Sequence, residues 1–212
     1  MLRTSRDHDV LKTLAVKVRI LSLSQIAGAW WSAGSQPQVH ARRRLSVLRD
    51  THQLHETTVP ASPLLELTAP LVVWKPGQPA PDLAAVARKL VDRWPAVPAR
   101  PTRVFSATEA TNNLFGGPRS VRPIHIAHVD HDLHVGQVYL YFLRVHPNLA
   151  ACWVGEDVRP KSGYRLKDPD AVLELDGGRR IHAVEFGGRY DVKRVRDFHE
   201  DCAKRNRSYE LW

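Results

Sequence analysis

Cysteine is scarce in this 212-residue sequence: Cys152 and Cys202 stand far apart and each stands alone. That excludes a disulfide framework and the close Cys/His spacing of structural zinc sites, and it fits a reducing compartment. No stretch approaches the roughly 18 consecutive apolar residues of a membrane span. The opening residues, MLRTSRDHDV, carry charge where a secretory leader has an apolar core. The expected location is cytoplasmic. A Gly-rich loop able to cradle phosphates is missing, as is any Ser-His-Asp or Cys-His arrangement with supporting context, which disfavours nucleotide hydrolysis and acyl transfer. No internal repeat is present.

Acidic residues are also outnumbered. Lys and Arg total 31 against 22 Asp and Glu, a net charge of +9 with His neutral. A field of that sign attracts phosphate backbones more readily than it attracts acidic partners. The 43% hydrophobic and 25% charged residues are ordinary for a folded globular chain. At this length the expectation is two small domains, each with its own core.

The first part of the chain reads as helices. Val10, Leu11, Leu14, Ala15 and Val18 fall at helical spacing within a helix expected over Asp9 to Ile20, with Asp7 or Asp9 as N-cap. A short helix from Gln25 to Trp31 follows, capped by Ser22 or Ser24 and ending near Gly34. The spacing predicts a third helix over Gln38 to His52, with Val39, Leu45 and Leu48 as its buried stripe. Two β-leaning stretches, Leu54 to Val59 and Pro70 to Lys75, suit a hairpin. The order helix, helix, basic helix, hairpin predicts a winged helix-turn-helix over residues 1–76.

Residues 77–130 read as linker and connecting helices. They hold the Pro/Gly-rich Pro76 to Pro81, an amphipathic helix from Asp82 to Trp94, and a second proline-rich break up to Pro101. A short strand near Arg103 to Ser106 and a helix capped by Thr108 come next, stopping at Gly116, Gly117 and Pro118.

From residue 131 the pattern becomes regular. A helix over Asp132 to His146 precedes strands at Leu149 to Val154, Ala171 to Leu175 and Ile181 to Phe186, with Asp176, Gly177 and Gly178 as a turn. A helix from Asp191 to Asn206 and a strand from Ser208 to Trp212 complete the order αβββαβ over residues 131–212. The fold class expected is α/β (α+β): an N-terminal winged helix-turn-helix followed by an αβββαβ restriction-endonuclease-like core.

The chemistry-bearing residues fall in two places. Arg42, Arg43, Arg44 and Arg49 put basic charge on the third helix, and Gln38 and His40 sit near its start, where a recognition helix reaches base edges. These six are the candidate DNA-binding residues, weighed against a merely solvated charged face. In the second place, PDAVLEL (Pro169 to Leu175) and AVEFGG (Ala183 to Gly188) set Asp170 and Glu185 on neighbouring strands. Two carboxylates converging there suit Mg²⁺, which prefers hard oxygen ligands and can activate water against a phosphodiester. Asp170 and Glu185 are therefore the candidate metal ligands.

His125, His128, His131 and His134 invite a metal reading, but without a partner Cys or an HExxH pattern, capping or packing is preferred. Arg189, Arg194, Arg196 and His199 could touch a nucleic-acid backbone or form a salt-bridged surface with the interleaved Asp191, Asp197, Glu200 and Asp201. The six tryptophans read as core and interface anchors.

Two resemblances follow from these motifs. The αβββαβ order with Asp170 and Glu185 resembles the PD-(D/E)XK nuclease-like superfamily, whose lysine two residues beyond the second acid is replaced here by Gly187. The resemblance implies that Lys193 or Arg189 would have to stand in from a migrated position, so that the catalytic candidates are Asp170, Glu185 and Lys193; Asp132 or Glu156 would be a further carboxylate. The segments HDLHVGQVYLYFL (His131 to Leu143), Trp153 to Glu156, Pro169 to Ala171 and VEFGGRY (Val184 to Tyr190) resemble the replication-relaxation family of plasmid and mobile-element proteins. That family places a winged helix before such a nuclease-like domain.

The expected function is DNA binding in the replication, transfer or transcription control of a mobile element, with a degenerate nuclease-like domain. The alternatives are a Mg²⁺-dependent DNA endonuclease and an adaptor subunit of a larger nucleoprotein complex. The partners expected are double-stranded DNA and a second copy of the chain in a homodimer, with no membrane.

Overall fold

The computed structural model describes residues 3–33, 35–121, 123–160 and 168–212. In chain order its elements are α1 (Ser5–Val16), β1 (Leu21–Ser22), α2 (Leu23–Trp30), α3 (Pro37–Asp50), β2 (Leu54–Ala61), β3 (Val72–Trp74), α4 (Leu83–Asp92), β4 (Arg100–Ala107) and α5 (Glu109–Phe115). They continue with α6 (Val129–Val145), α7 (Pro147–Ala151), β5 (Trp153–Gly155), β6 (Ala171–Leu175), β7 (Arg180–Glu185), α8 (Val192–Lys204) and β8 (Ser208–Leu211). The fold is mixed α and β, and among the described residues the strands form a three-stranded and a five-stranded sheet. No helix of the described residues is long and apolar enough to cross a membrane.

Two compact units share the chain, and both are discontinuous. Unit 1 comprises Met1–Leu64 and Pro98–Leu140; unit 2 comprises Leu65–Val97 and Tyr141–Trp212. This redraws the expected boundaries at residues 76 and 130. The stretch 77–130 is not a linker: it supplies α4 to one unit and the central strand β4 to the other.

In unit 1, α1 begins four residues before the expected Asp9. Thr4 caps it in a reciprocal box, its hydroxyl accepting from the Asp7 N–H at 3.2 Å while Asp7 accepts from the Thr4 N–H at 2.7 Å. A second box, Ser22 with Gln25, starts α2; the turn near Gly34 expected to end it lies outside the described residues. Helix α3 starts at Pro37, whose fixed φ suits a first helical position. Its buried stripe is Ala41, Leu45 and Leu48; Val39, expected inside, is 44% exposed because it lies on the other face of the helix.

The expected hairpin between Leu54 to Val59 and Pro70 to Lys75 does not form. Strand β2 pairs antiparallel with β4 from Leu54↔Ala107 to Ala61↔Arg100, and β4 pairs on its other edge with β1. The short strand expected near Arg103 to Ser106 is thus an eight-residue centre strand. Ile20, Val59, Ala61, Val104, Val129 and Leu133 close a core over this sheet. Each large apolar side chain so buried contributes roughly 1.5–3 kcal/mol.

In unit 2 the sheet order is β3-β8-β7-β6-β5, antiparallel except for the β7–β8 pair. The parallel pair needs a crossover, and α8 provides it. Asp176, Gly177 and Gly178 turn β6 into β7 with φ of +52°, +68° and +85°, backbone that glycine adopts without strain. The strand expected from Leu149 is shorter, Trp153–Gly155, because Pro147 starts the extra helix α7. Leu90 of α4 and Val195, Phe198 and Cys202 of α8 pack with Trp74, Ala183, Tyr209 and Leu211. Phe142 meets the rings of Trp153 at 5.6 Å and Trp212 at 6.0 Å.

Candidate functional site

Helix α3 carries six of the candidate residues, and its packing sorts them. Gln38, His40, Arg42 and Arg43 are exposed. Among the described residues, neither Arg42 nor Arg43 has an ion-pair partner. Arg43 shares a helix row with the exposed Val39 and Val47, one turn to either side. No side chain caps the first turn of α3; Pro37 has no N–H, and the Val39 and His40 N–H groups donate to the Gln36 carbonyl at 3.1 and 3.2 Å.

Arg44 is a correction. It points back into the unit, where its Nε and Nη2 donate to Asp7, a residue with no solvent exposure. Burial alone would raise the Asp7 pKa, but the hydrogen bonds from Arg44 and Thr4 outweigh it and hold the carboxyl below its ordinary range. Arg44 is therefore a structural ion-pair partner and not an open contact. Arg49 is engaged too, with Asp50 at 2.9 Å and Glu56 at 2.7 Å. Glu56 also accepts from Arg103 of β4 at 3.0 Å. Sequence reasoning passed over Arg100, exposed at the start of β4, because the pairing that sets it beside β2 spans about 40 residues.

The two acids of unit 2 do come together. The Asp170 N–H donates to Glu185 Oε2 at 3.1 Å, and the Phe186 N–H donates to Asp170 Oδ2 at 2.7 Å. Glu185 has no solvent exposure, and its Oε1 accepts from the Tyr190 hydroxyl at 2.5 Å. Burial and the neighbouring Glu185 and Asp170 charges push the Tyr190 pKa far up, so it stays a donor. Both carboxylates are thus tied into hydrogen bonds within the unit.

Among the described residues, the candidates Lys193 and Asp132 pair elsewhere. Lys193 is exposed and pairs with Asp197 at 2.7 Å; the carboxylates that raise its pKa are Asp197, through that hydrogen bond, and Asp191. At Gly187, where the superfamily has its lysine, a Cβ would lie 2.8 Å from both δ-carbons of the fully buried Leu90. Asp132 pairs with Arg19 in unit 1 at 3.1 Å. The Glu156 N–H donates to the Asp170 carbonyl at 2.9 Å. Among the described residues no three His, Cys, Asp or Glu side chains group to hold a metal. A divalent ion held by Asp170 and Glu185 would have to share their oxygens with these N–H and O–H donors. Of the four histidines, His125 and His128 meet with ring centres 5.4 Å apart, while His134 has no exposure and its Nδ1–H donates to the Asp130 carbonyl.

Around the acids stand arginines and rings the sequence did not connect. Arg93 lies 4.9 Å over Phe186 and donates to the main-chain oxygen of Trp212 at 3.1 Å; burial lowers its pKa to about 10. Arg189 lies 4.8 Å over Trp94, and Arg194 4.4 Å over Tyr190. His199, grouped with them in the sequence, is buried and bonds Tyr209 at 3.1 Å.

No family model, curated protein or solved structure matches the chain. What the two units can do follows from their own geometry.

Proposed function

We propose that the chain is a DNA-binding protein in which unit 1 acts as a winged helix-turn-helix and unit 2 is a nuclease-like core without hydrolytic function. The observation that carries this is the pair of exposed arginines, Arg42 and Arg43, without ion-pair partners on α3. Support comes from the order α1-β1-α2-α3-β2-β4 with sheet order β1-β4-β2, the arrangement of a winged helix. There α3 is the recognition helix and the β2–β4 ladder the wing. Arg42 and Arg43 would reach phosphates or guanine edges, Gln38 and His40 the bases near the helix start. The exposed Val39 and Val47 could meet thymine methyl groups.

In unit 2, the short helix α7, three antiparallel strands, a crossover helix and a strand parallel to the third support the nuclease-like reading. The closed Gly187 position and the occupied carboxylates favour binding over cutting. The replication-relaxation resemblance joins the same two parts, and it is the context we propose. A Mg²⁺-dependent endonuclease remains the second reading, favoured by the contact between Asp170 and Glu185.

Fluorescence anisotropy with labelled duplex DNA across a salt series tests the first reading. Replacing Arg42 and Arg43 by Ala should weaken binding and flatten the slope of log affinity against log salt by about 0.9 per lost phosphate contact. An unchanged slope removes α3 from the interface. Mg²⁺-dependent nicking of supercoiled plasmid that disappears in Glu185→Gln would replace the binding reading of unit 2 with the endonuclease.

A further inference from the structure

Unit 2 gathers three arginines whose guanidinium groups lie on aromatic rings and not on carboxylates. Arg189 covers Trp94, and Trp94 meets Phe186 edge-on with ring centres 6.2 Å apart. Arg93 covers the same Phe186, while Arg194 covers Tyr190, the residue that holds Glu185. The Trp94 indole N–H donates to the Gly188 carbonyl at 3.0 Å, fixing the ring under Arg189. Two touching rings, Trp94 and Phe186, therefore lie between two cations, Arg189 and Arg93.

The acids nearby are committed elsewhere. Asp191 caps α8 by accepting from the Arg194 N–H, Asp197 takes Lys193, and Asp201 takes Arg205. Among the described residues no Asp or Glu side chain pairs with Arg93, Arg189 or Arg194. The Arg93 Nε is buried with no hydrogen-bond partner, an unmet donor that folding normally avoids. A guanidinium stacked on a ring keeps its in-plane N–H donors directed outward, the geometry that grips phosphate oxygens.

We infer that this arginine-aromatic cluster is a second nucleic-acid contact, holding the phosphodiester backbone through Arg189 and Arg194, with Arg93 on the Phe186 ring. It rests on the DNA-binding reading only for the class of ligand; the residues and the unit are different. The rings are covered by cations and not left open for base stacking, so the contact reads charge and not sequence. Beside the carboxylate pair, this cluster would hold a strand without cleaving it.

The test uses the full chain and two probes, a labelled duplex and a labelled single strand. The double substitution Arg189→Ala with Arg194→Ala should weaken binding of at least one probe equally across sequences. It should also flatten the salt slope by about 0.9 per arginine. The probe affected identifies the strand state. Arg189→Lys with Arg194→Lys should retain the slope, because the charge stays, while losing the affinity that the ring-stacked fork adds; a lysine variant with a slope as flat as the alanine one's would overturn the inference. Unchanged affinity and slope for both probes would also overturn it. Arg42→Ala with Arg43→Ala, measured beside it, keeps the two proposals apart. Loss only in the α3 variant leaves the winged-helix reading standing and removes this one; loss only in the unit 2 variant does the reverse.

Discussion

The carboxylate of Asp7 accepts both arms of the Arg44 fork, Nε at 2.8 Å and Nη2 at 2.5 Å, from a position without solvent exposure. A bidentate pair of this kind ties α1 to α3, 37 residues apart, and sets how α3 is presented.

Arg44→Ala should destabilise unit 1 by about 3–5 kcal/mol, because it strands a buried charge, whereas Arg42→Ala should leave the unfolding midpoint unchanged. Urea unfolding of the two variants checks this. Equal midpoints would mean that Arg44 is not structural.

The pair should also carry a pH signature. The folded-state pKa of Asp7 is depressed, so its stabilising contribution is fully present above its unfolded value of about 3.9 and is lost as pH falls through the folded value. A double-mutant cycle of Asp7→Asn and Arg44→Ala should give a coupling energy that is flat from about pH 8 to pH 5 and declines below about pH 4. A coupling that falls on the alkaline side would contradict the assignment.

Gly187→Lys would restore the superfamily's residue type at a place with no room for it. Overpacking against Leu90 should cost about 1–3 kcal/mol, seen as a lower Tm, and no Mg²⁺-dependent nicking should appear. Adding Leu90→Ala should recover less than the full loss, since it opens a cavity elsewhere in the same core. A Gly187→Lys protein that is fully stable and cuts plasmid would restore the endonuclease reading.

Tyr190→Phe removes the hydroxyl that donates to Glu185 Oε1 and leaves a buried carboxylate oxygen short of a partner. The expected loss is about 1–3 kcal/mol in thermal unfolding. Glu185→Gln in the same background should recover part of it, because a neutral amide is less costly to bury than a carboxylate.

Much of the local structure was legible because it depends on neighbours in sequence. The Ser22 cap on α2, the Thr108 cap and left-handed Gly116 that bound α5, and the Asp176–Gly178 turn all follow from side chains or φ preferences within a few residues. So does the alternation that put Asp170 immediately before β6 and Glu185 at the end of β7. The basic stripe of α3 was visible as a run of arginines, but which arginine turns inward was not. That choice depends on Asp7, on another helix.

By itself, then, the sequence determined where the caps of α2, α5 and α8 and the Asp176–Gly178 turn fall, and which residue types cluster. Tertiary structure alone decided that β2 takes β4 as its partner and not the nearer β3, that residues 65–97 join unit 2, and that Leu90 fills the space over Gly187. The reason is physical. Caps and turns are satisfied by atoms one or two turns away, whereas strand pairing and close packing are settled by competition among distant segments for the same hydrogen bonds and the same volume.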